Sequence, residues 1–282
     1  MIVWLASYPK SGNTWIRFFI LSLIFGNKSK INLENLKLIT QFPKKSQFVN
    51  LTNNFQNFDA ISKNWISSQE KINSDNKIRF LKTHNMMCCF DNYCFTDINN
   101  TLGSIYIVRD PRNVITSLKN HFSFENYEQA KQFIFNEKQA IKPTKYIKNE
   151  DFLLETIIGS WQTHYKSWKN IKKNFLLIKY ENLINNTKTE FLKLSNFLET
   201  ILKTKFKEEQ IDRAIAESSF ENMSAMEKLK GFSESTNNKK TGKKNIFFNL
   251  GPKNDWKKIL TKEVAAEISL KFKSEMEELG YL

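Results

Sequence analysis

The sequence predicts an α/β fold: a three-layer α/β/α arrangement on a central parallel sheet. Three observations predict it. Four short apolar runs, "IVWLA" (2–6), "IRFLK" (78–82), "SIYIV" (104–108) and "FLLIK" (175–179), are of strand length and nearly continuous, as expected of strands covered on both faces. Each is followed by polar residues and then by a helical pattern, and this alternation argues for parallel strands with helical crossovers. The polar stretches that follow them, "SYPKSGNT", "THN", "RDPRN" and "YEN", are rich in basic groups and hydroxyls. In open α/β sheets, ligands sit at those carboxyl ends.

The elements follow in order. After the first strand, Trp15, Phe18, Phe19, Leu21 and Ile24 recur at helical spacing over 13–25. After the third, Asp110 suits an N-cap and Pro111 the first helical position. Further helices are expected near 152–172, 187–202, 207–217 and 262–279. Segment 123–150 is aromatic-rich and irregular. Residues 230–258 carry many Lys, Asn, Gly and Ser and read as a long loop, the kind that is usually functional in a compact domain. No repeat or linker divides the chain, so residues 1–282 read as one domain.

Composition bounds the function. The 282 residues are 40% hydrophobic and 26% charged, an ordinary globular balance, and the 24 Phe read as core filling. The net charge of +14 favours anionic partners without choosing among nucleic acid, membrane surface and small anions. The lysines are scattered and no nucleic-acid motif is present, so no nucleic-acid partner is expected. The three cysteines, Cys88, Cys89 and Cys94, are odd in number and crowded together. They do not read as a disulfide framework and point to a reducing compartment. No run reaches membrane-spanning length, and the apolar piece before Lys10 is too short for a signal-peptide core. The expectation is a soluble cytoplasmic protein with no membrane span.

The opening loop carries the chemistry. A Walker A loop needs glycines that Trp4 and Pro9 replace when the pattern is aligned on Lys10. The parts of a phosphate cradle remain: a strand, a tight turn at Gly12 and a helix N-terminus. Lys10, Ser11, Asn13 and Thr14 can donate to an anion, and so can the backbone N–H groups of 11–14. The plain alternative is an ordinary strand-to-helix turn with an exposed lysine. "RDPRN" has an equally plain reading alone, a capped helix start with a surface arginine.

"YPKSGNTW" resembles the 5′-phosphosulfate loop of PAPS-dependent sulfotransferases, YPKSGT-x-W. "RDPRNVITS" resembles their 3′-phosphate element, R-[DN]-P-x-[DN]-V-x-x-S. "KYENL", "ESSFENM" and "GPKNDWKKILT" are similar to further segments of that family, so the motifs span residues 8 to 261. The resemblance implies a P-loop-NTPase-like sulfotransferase fold. It implies PAPS as co-substrate and PAP as product, with no metal required. Lys10 to Trp15 would hold the 5′ end, Lys10 reaching the oxygen between phosphate and sulfate and Trp15 lying near the adenine. Arg109 and Ser117 would hold the 3′-phosphate, and Tyr180, Ser218 and Phe220 would contact the base. Gly251 would belong to the C-terminal donor element. "FLKTHN" resembles the family's K-T-H segment, making His84 the general base and Lys82 a partner of Lys10 in stabilising the leaving group. A histidine's ordinary pKa of ~6.5 suits that task. His121 and His164 read as structural.

The sequence also departs from the family. Where an Arg-Lys pair usually precedes the C-terminal glycine, Asn249 and Leu250 stand, and Asn254 replaces the second glycine. Lys243, Lys244 or Lys253 are candidates for the missing charge. The family's dimer motif K-x-x-x-T-V-x-x-x-E is broken at Lys262 and Ala266, so that dimer is not expected and the oligomeric state stays open. The acceptor is expected to be a small molecule with a hydroxyl or amine. Its pocket is expected near the region after His84, the 123–150 segment and the 230–250 loop, with Phe122, Phe124, Tyr127 and Phe133 as candidate walls or core. Two rival chemistries use the same residues. An ATP-dependent, P-loop-like phosphotransferase (kinase) would use Asp110 to hold magnesium. A zinc site would draw on His84, Cys88, Cys89 and Cys94, although adjacent cysteines lack the usual ligand spacing.

Overall fold

The computed structural model describes residues 1–27, 29–143, 150–171, 173–238 and 240–282. In chain order the main elements are β1 (Ile2–Ser7), α1 (Asn13–Phe25), β2 (Arg79–Thr83), β3 (Thr101–Val108), α2 (Pro111–Phe122), α3 (Tyr127–Phe135), α4 (Trp161–Lys169), β4 (Phe175–Lys179), α5 (Tyr180–Asn185), α6 (Thr187–Leu202), α7 (Glu208–Glu217), α8 (Phe220–Lys230), α9 (Lys262–Lys271) and α10 (Lys273–Glu278). The chain forms two compact units, each assembled from three segments.

The first unit comprises Met1–Tyr8, Ile39–Ile107 and Asn136–Leu177. Its sheet has the order β2-β1-β3-β4. β1 pairs in parallel with β2 on one side, Leu5 opposite Lys82, and with β3 on the other, Ala6 opposite Tyr106. The chain order therefore reverses at β1, the place where ligand crevices open in such sheets. All six residues of β1 are buried, which is why its sequence is apolar without alternation. Trp4 lies at the centre of an aromatic core, with ring centroids 5.5 Å from Phe42, 5.2 Å from Phe95 and 6.4 Å from Trp168.

The second unit comprises Pro9–Leu38, Val108–Phe135 and Ile178–Leu282. α1 buries Phe18, Phe19, Ile20 and Leu21, and Phe19 stacks on Phe191 of α6 at 4.1 Å. α2 begins as expected, with Asp110 accepting from the Arg112 N–H at 2.9 Å and Pro111 in the first turn. The expected long loop is folded, not free. Arg17, 2% exposed, pairs with Glu234 at 2.6 Å. Glu227 accepts the backbone N–H groups of Phe247 and Phe248 at 2.7 and 2.8 Å. Residue 239 of this loop lies outside the described residues.

Four expectations need correction. The helix near 152–172 is confined to α4, because Gly159 has φ +61 and Ser160 caps the helix by accepting from the Thr163 N–H. A left-handed residue cannot continue a right-handed helix, and Thr156–Ile157 pairs instead with Ala140–Ile141 as a short antiparallel ladder. Segment 123–150 is not irregular throughout. Ser123 ends α2 in the left-handed region, and α3 follows with Ala130 and Ile134 fully buried; residues 144–149 lie outside the described residues. The C-terminal helix breaks at Phe272, whose buried ring packs on Phe135 at 5.3 Å.

The fourth correction concerns the cysteines. Cys89 and Cys94 face one another across a tight hairpin, Cys89–Phe90 against Tyr93–Cys94, and form a disulfide with their Cα atoms 3.8 Å apart. Cross-strand neighbours in a hairpin hold their Cβ atoms within bonding reach, so an odd count did not preclude one bridge. Cys88 remains a thiol, and burial pushes its pKa up to about 12. Alkylation without reductant is therefore expected to label one cysteine per denatured chain and to label the native chain slowly. Three fast-reacting thiols would contradict the pairing.

Candidate active site

The opening loop and its surroundings belong to the second unit. Gly12 takes φ +105 at the N-cap of α1. A Cβ there would come within 2.5 Å of the Tyr180 ring, so only glycine lets the loop's backbone lie against that ring. Ser11, Asn13 and Thr14 are buried. The Ser11 hydroxyl is fully buried and has no hydrogen-bond partner among the described residues. A buried hydroxyl of this kind at a helix N-terminus is a ready donor to an anion. Trp15 packs edge-on between Tyr180 and Phe191, at 6.0 and 5.7 Å. Lys10 places its ammonium 3.6 Å from the centroid of Phe247, a cation–π contact that ties the loop of 231–250 to the opening loop.

Arg109 joins these groups. Its Nη1 donates to the Lys10 carbonyl at 3.1 Å and to Ser117 Oγ at 3.2 Å, and its guanidinium lies 4.1 Å from the centroid of Tyr180. Asn254, 8% exposed, donates to Ser117 Oγ at 3.3 Å and to the Asn113 carbonyl at 3.0 Å, and accepts from Thr116 at 2.7 Å. Gly251, at φ +52, lies against Phe220, where a Cβ would come within 2.2 Å of the ring. The second unit therefore brings Lys10 to Trp15, Arg109, Ser117 and Tyr180 into one cluster, and pairs Phe220 with Gly251. Ser218 is fully buried and its hydroxyl donates to the Ile215 carbonyl at 3.2 Å, serving the turn between α7 and α8.

The first unit holds Lys82 and His84. Lys82 ends β2 with only 7% of its surface exposed. His84 Nδ1 lies 2.7 Å from the Ser7 carbonyl oxygen and 3.4 Å from Ser7 Oγ. A carbonyl only accepts, so Nδ1 carries the proton and the basic lone pair is on Nε2. The turn after β2 thereby fixes which tautomer the ring takes whenever it is neutral.

Several residues of the site were not singled out by sequence reasoning. Phe247 and Glu227 lie in or beside a segment read only as loop, and nothing local marks an aromatic that will cover a lysine 237 positions away. Asn254 was visible as a glycine-to-asparagine departure, but its bond to Ser117 was not. The candidate walls Phe122, Phe124 and Phe133 pack on one another at 5.1–5.7 Å. Beside them is a polar cavity of about 260 Å³ lined by Lys119, Asn120, Ser123, Phe124, Glu125, Asn238, Lys240 and Asn245. The residues needed by the rival chemistries are otherwise engaged. Asp110 binds Arg112 with both carboxylate oxygens, at 2.7 to 3.2 Å, and Cys89 and Cys94 bind each other.

This fold and this loop define a class of transferases that work on sulfate. The chain belongs to the sulfotransferase family, whose model, the sulfotransferase domain, matches residues 2–280. It is an enzyme of the PAPS-dependent sulfotransferase class. It is 25% identical to an amine sulfotransferase of Oryctolagus cuniculus, over 98% of this chain and 81% of that protein. It is 27% identical to a 3-beta-hydroxysteroid sulfotransferase of Cavia porcellus, over 96% and 82%. Among solved structures it resembles a mouse sulfotransferase complexed with PAP, with TM-score 0.60, 18% identity and coverage of 98% and 84%. A retinol dehydratase in a complex with retinol and PAP matches with TM-score 0.60, 17% identity and coverage of 98% and 81%. The fold class is that of the sulfotransferases, α/β/α about a central parallel sheet. No described helix is long and apolar enough to cross a membrane.

Proposed function

We propose that this protein transfers a sulfuryl group from PAPS to a hydroxyl or amine of a small acceptor, with residues 1–282 acting as one domain in the cytoplasm. The observation that carries the reading is the cradle around Gly12: a left-handed glycine against Tyr180, a buried Ser11 hydroxyl, and Arg109 bonded to Ser117. The residues fit a bisphosphorylated nucleotide. Ser11 to Thr14 supply donors at the N-terminus of α1 for the 5′ end. Arg109, Ser117 and Asn254 form a linked donor set for the 3′-phosphate, and Trp15, Tyr180 and Phe220 offer aromatic surface for the base. The PAP-bound neighbours and the acceptors named for the relatives, amines and hydroxysteroids, are in keeping with it.

PAPS, when bound, supplies the sulfuryl group on its 5′-phosphate. His84 Nε2 takes the proton of the acceptor as the acceptor oxygen or nitrogen bonds to sulfur. The Ser7 carbonyl, bonded to Nδ1–H, keeps the ring oriented and stabilises its positive charge. Lys10 and Lys82 neutralise the charge left on the phosphate oxygen when its bond to sulfur breaks. These steps ask no metal of the chain.

The missing Arg-Lys pair sets one prediction. Lys243, Lys244 and Lys253 are all exposed, so any help they give the 3′-phosphate is screened by salt. Lys243→Ala with Lys253→Ala is expected to weaken PAP several-fold, and more at low salt. Unchanged affinity in calorimetry would leave the 3′-phosphate to Arg109, Ser117 and Asn254.

The reading is tested by a thermal-shift panel with PAP, AMP and ATP, each with and without Mg²⁺. Ligand at 100 times its Kd adds ~2.7 kcal/mol, a shift of several degrees. Stabilisation by PAP without metal, and little by AMP, is expected. Preference for ATP with Mg²⁺ would favour phosphoryl transfer, and no response would sink the donor site.

A further inference from the structure

α4 grips the turn that carries His84 with three side chains from one face. His164, Ser167 and Trp168 stand at i, i+3 and i+4, which places them together on a helix. His164 Nε2 lies 3.1 Å from the His84 carbonyl oxygen. Trp168 Nε1 donates to the Asn85 carbonyl at 2.9 Å, and Ser167 Oγ accepts from the Met87 N–H at 3.0 Å. Residues 84–87 lie in no strand or helix; besides one backbone bond, from the Met86 N–H to the Ile157 carbonyl at 2.7 Å, these side chains hold their main chain. His164 and Trp168 are both fully buried.

We infer that His164 is a positioning residue for His84, acting with Tyr106 to hold the base's backbone in register. The inference rests on the reading of His84 as the base, and the bonds specify the arrangement. A carbonyl accepts only, so His164 Nε2 carries the proton it gives to His84 O. The Nδ1 lone pair of His164 then accepts from the Tyr106 hydroxyl, 2.8 Å away. One neutral tautomer satisfies both partners. Burial supports it: His164 is pushed down to about 3, and the Tyr106 hydroxyl is pushed well above its ordinary value and keeps its proton. The chain Tyr106 O–H to His164 to His84 C=O thus holds the main chain of His84, while Ser7 holds its ring. Among the described residues, the groups facing His164 are Tyr106, the edge-on ring of Tyr8 at 5.5 Å and the His84 backbone, and none of these is a carboxylate that would favour imidazolium.

The chain has three histidines, so each ring can be followed by long-range ¹⁵N–¹H NMR of the full-length protein. In the wild type, His164 is expected as the Nε2–H tautomer and His84 as the Nδ1–H tautomer at pH 8. His164→Leu should change the His84 tautomer ratio by about fivefold, the worth of one hydrogen bond. His164→Gln keeps a donor toward His84 O and should restore the ratio. Turnover should follow the same order, falling about 10–10²-fold in His164→Leu, while stabilisation by PAP stays as in the wild type. Unchanged His84 signals in His164→Leu would overturn the inference, and so would an Nδ1–H tautomer of His164 in the wild type. Should His164→Leu not fold, Tyr106→Phe carries the test: it leaves His164 held by the His84 carbonyl alone, so the His84 tautomer ratio should shift in the same direction by a smaller amount, and unchanged His84 signals there would overturn the inference. Full turnover in His84→Ala would instead defeat the reading of the base, a result the spectra do not depend on. Acid unfolding gives a second measure. His164 is neutral when folded and takes a proton when unfolded below about pH 6.5, so the folding equilibrium should weaken up to about tenfold per pH unit from there toward pH 3. His164→Gln should lose that dependence.

Discussion

Replacing His84 with Ala is expected to lower turnover ~10²–10⁴-fold, the usual contribution of a general base. The size follows from the way the ring is held. Nδ1 is committed to the Ser7 carbonyl at 2.7 Å, so the ring has one defined basic position, Nε2, and a partner that stabilises the imidazolium once the proton arrives. Removing the ring takes away both. Stabilisation by PAP should be unchanged, because His84 is assigned to the acceptor's proton and not to the nucleotide. The measurement is PAP formation from PAPS with a panel of simple phenols, alcohols and amines. A loss smaller than tenfold would assign the proton to another group.

Gly12→Ala is expected to weaken PAP binding ~10–10²-fold, corresponding to the ~1–3 kcal/mol of strain that a non-glycine residue meets in such a conformation. Two effects add. The backbone stands at φ +105, which L side chains rarely adopt, and the new Cβ would come within 2.5 Å of Tyr180. The ring must move, and the Arg109 guanidinium rests on its face at 4.1 Å while also bonding Ser117 and the Lys10 carbonyl. Moving Tyr180 therefore disturbs groups assigned to both phosphates. Calorimetry with PAP reads the effect, and circular dichroism checks the fold. Wild-type affinity in Gly12→Ala would mean that this loop does not hold the donor.

Much of this was legible in the chain. The four sheet strands lie within a few residues of their expected places, and α1 and α6 have the expected ends. Buried parallel strands must be apolar on both faces, and α2 announces its start with Asp110 and Pro111. The opening loop was legible because Gly12 and the hydroxyls around it must be contiguous to form a cradle. The hairpin disulfide was not, because a cysteine count carries no information on which thiols face each other. Nor was the extent of α4, where one left-handed glycine outweighed an apolar period.

By itself, then, the sequence determined the α/β class, the strands and the contiguous motifs, since these depend on periodicity and on neighbours in the chain. Tertiary structure decided the contacts between distant positions. Phe247 meets Lys10, Asn254 bonds Ser117, and His164 holds the backbone of His84 from 80 residues away. The single histidine on α4 reads as structural in the chain because nothing adjacent to it is reactive. Only packing α4 against the turn after β2 gives its buried N–H a carbonyl to hold, and a buried donor takes whatever acceptor the fold places before it.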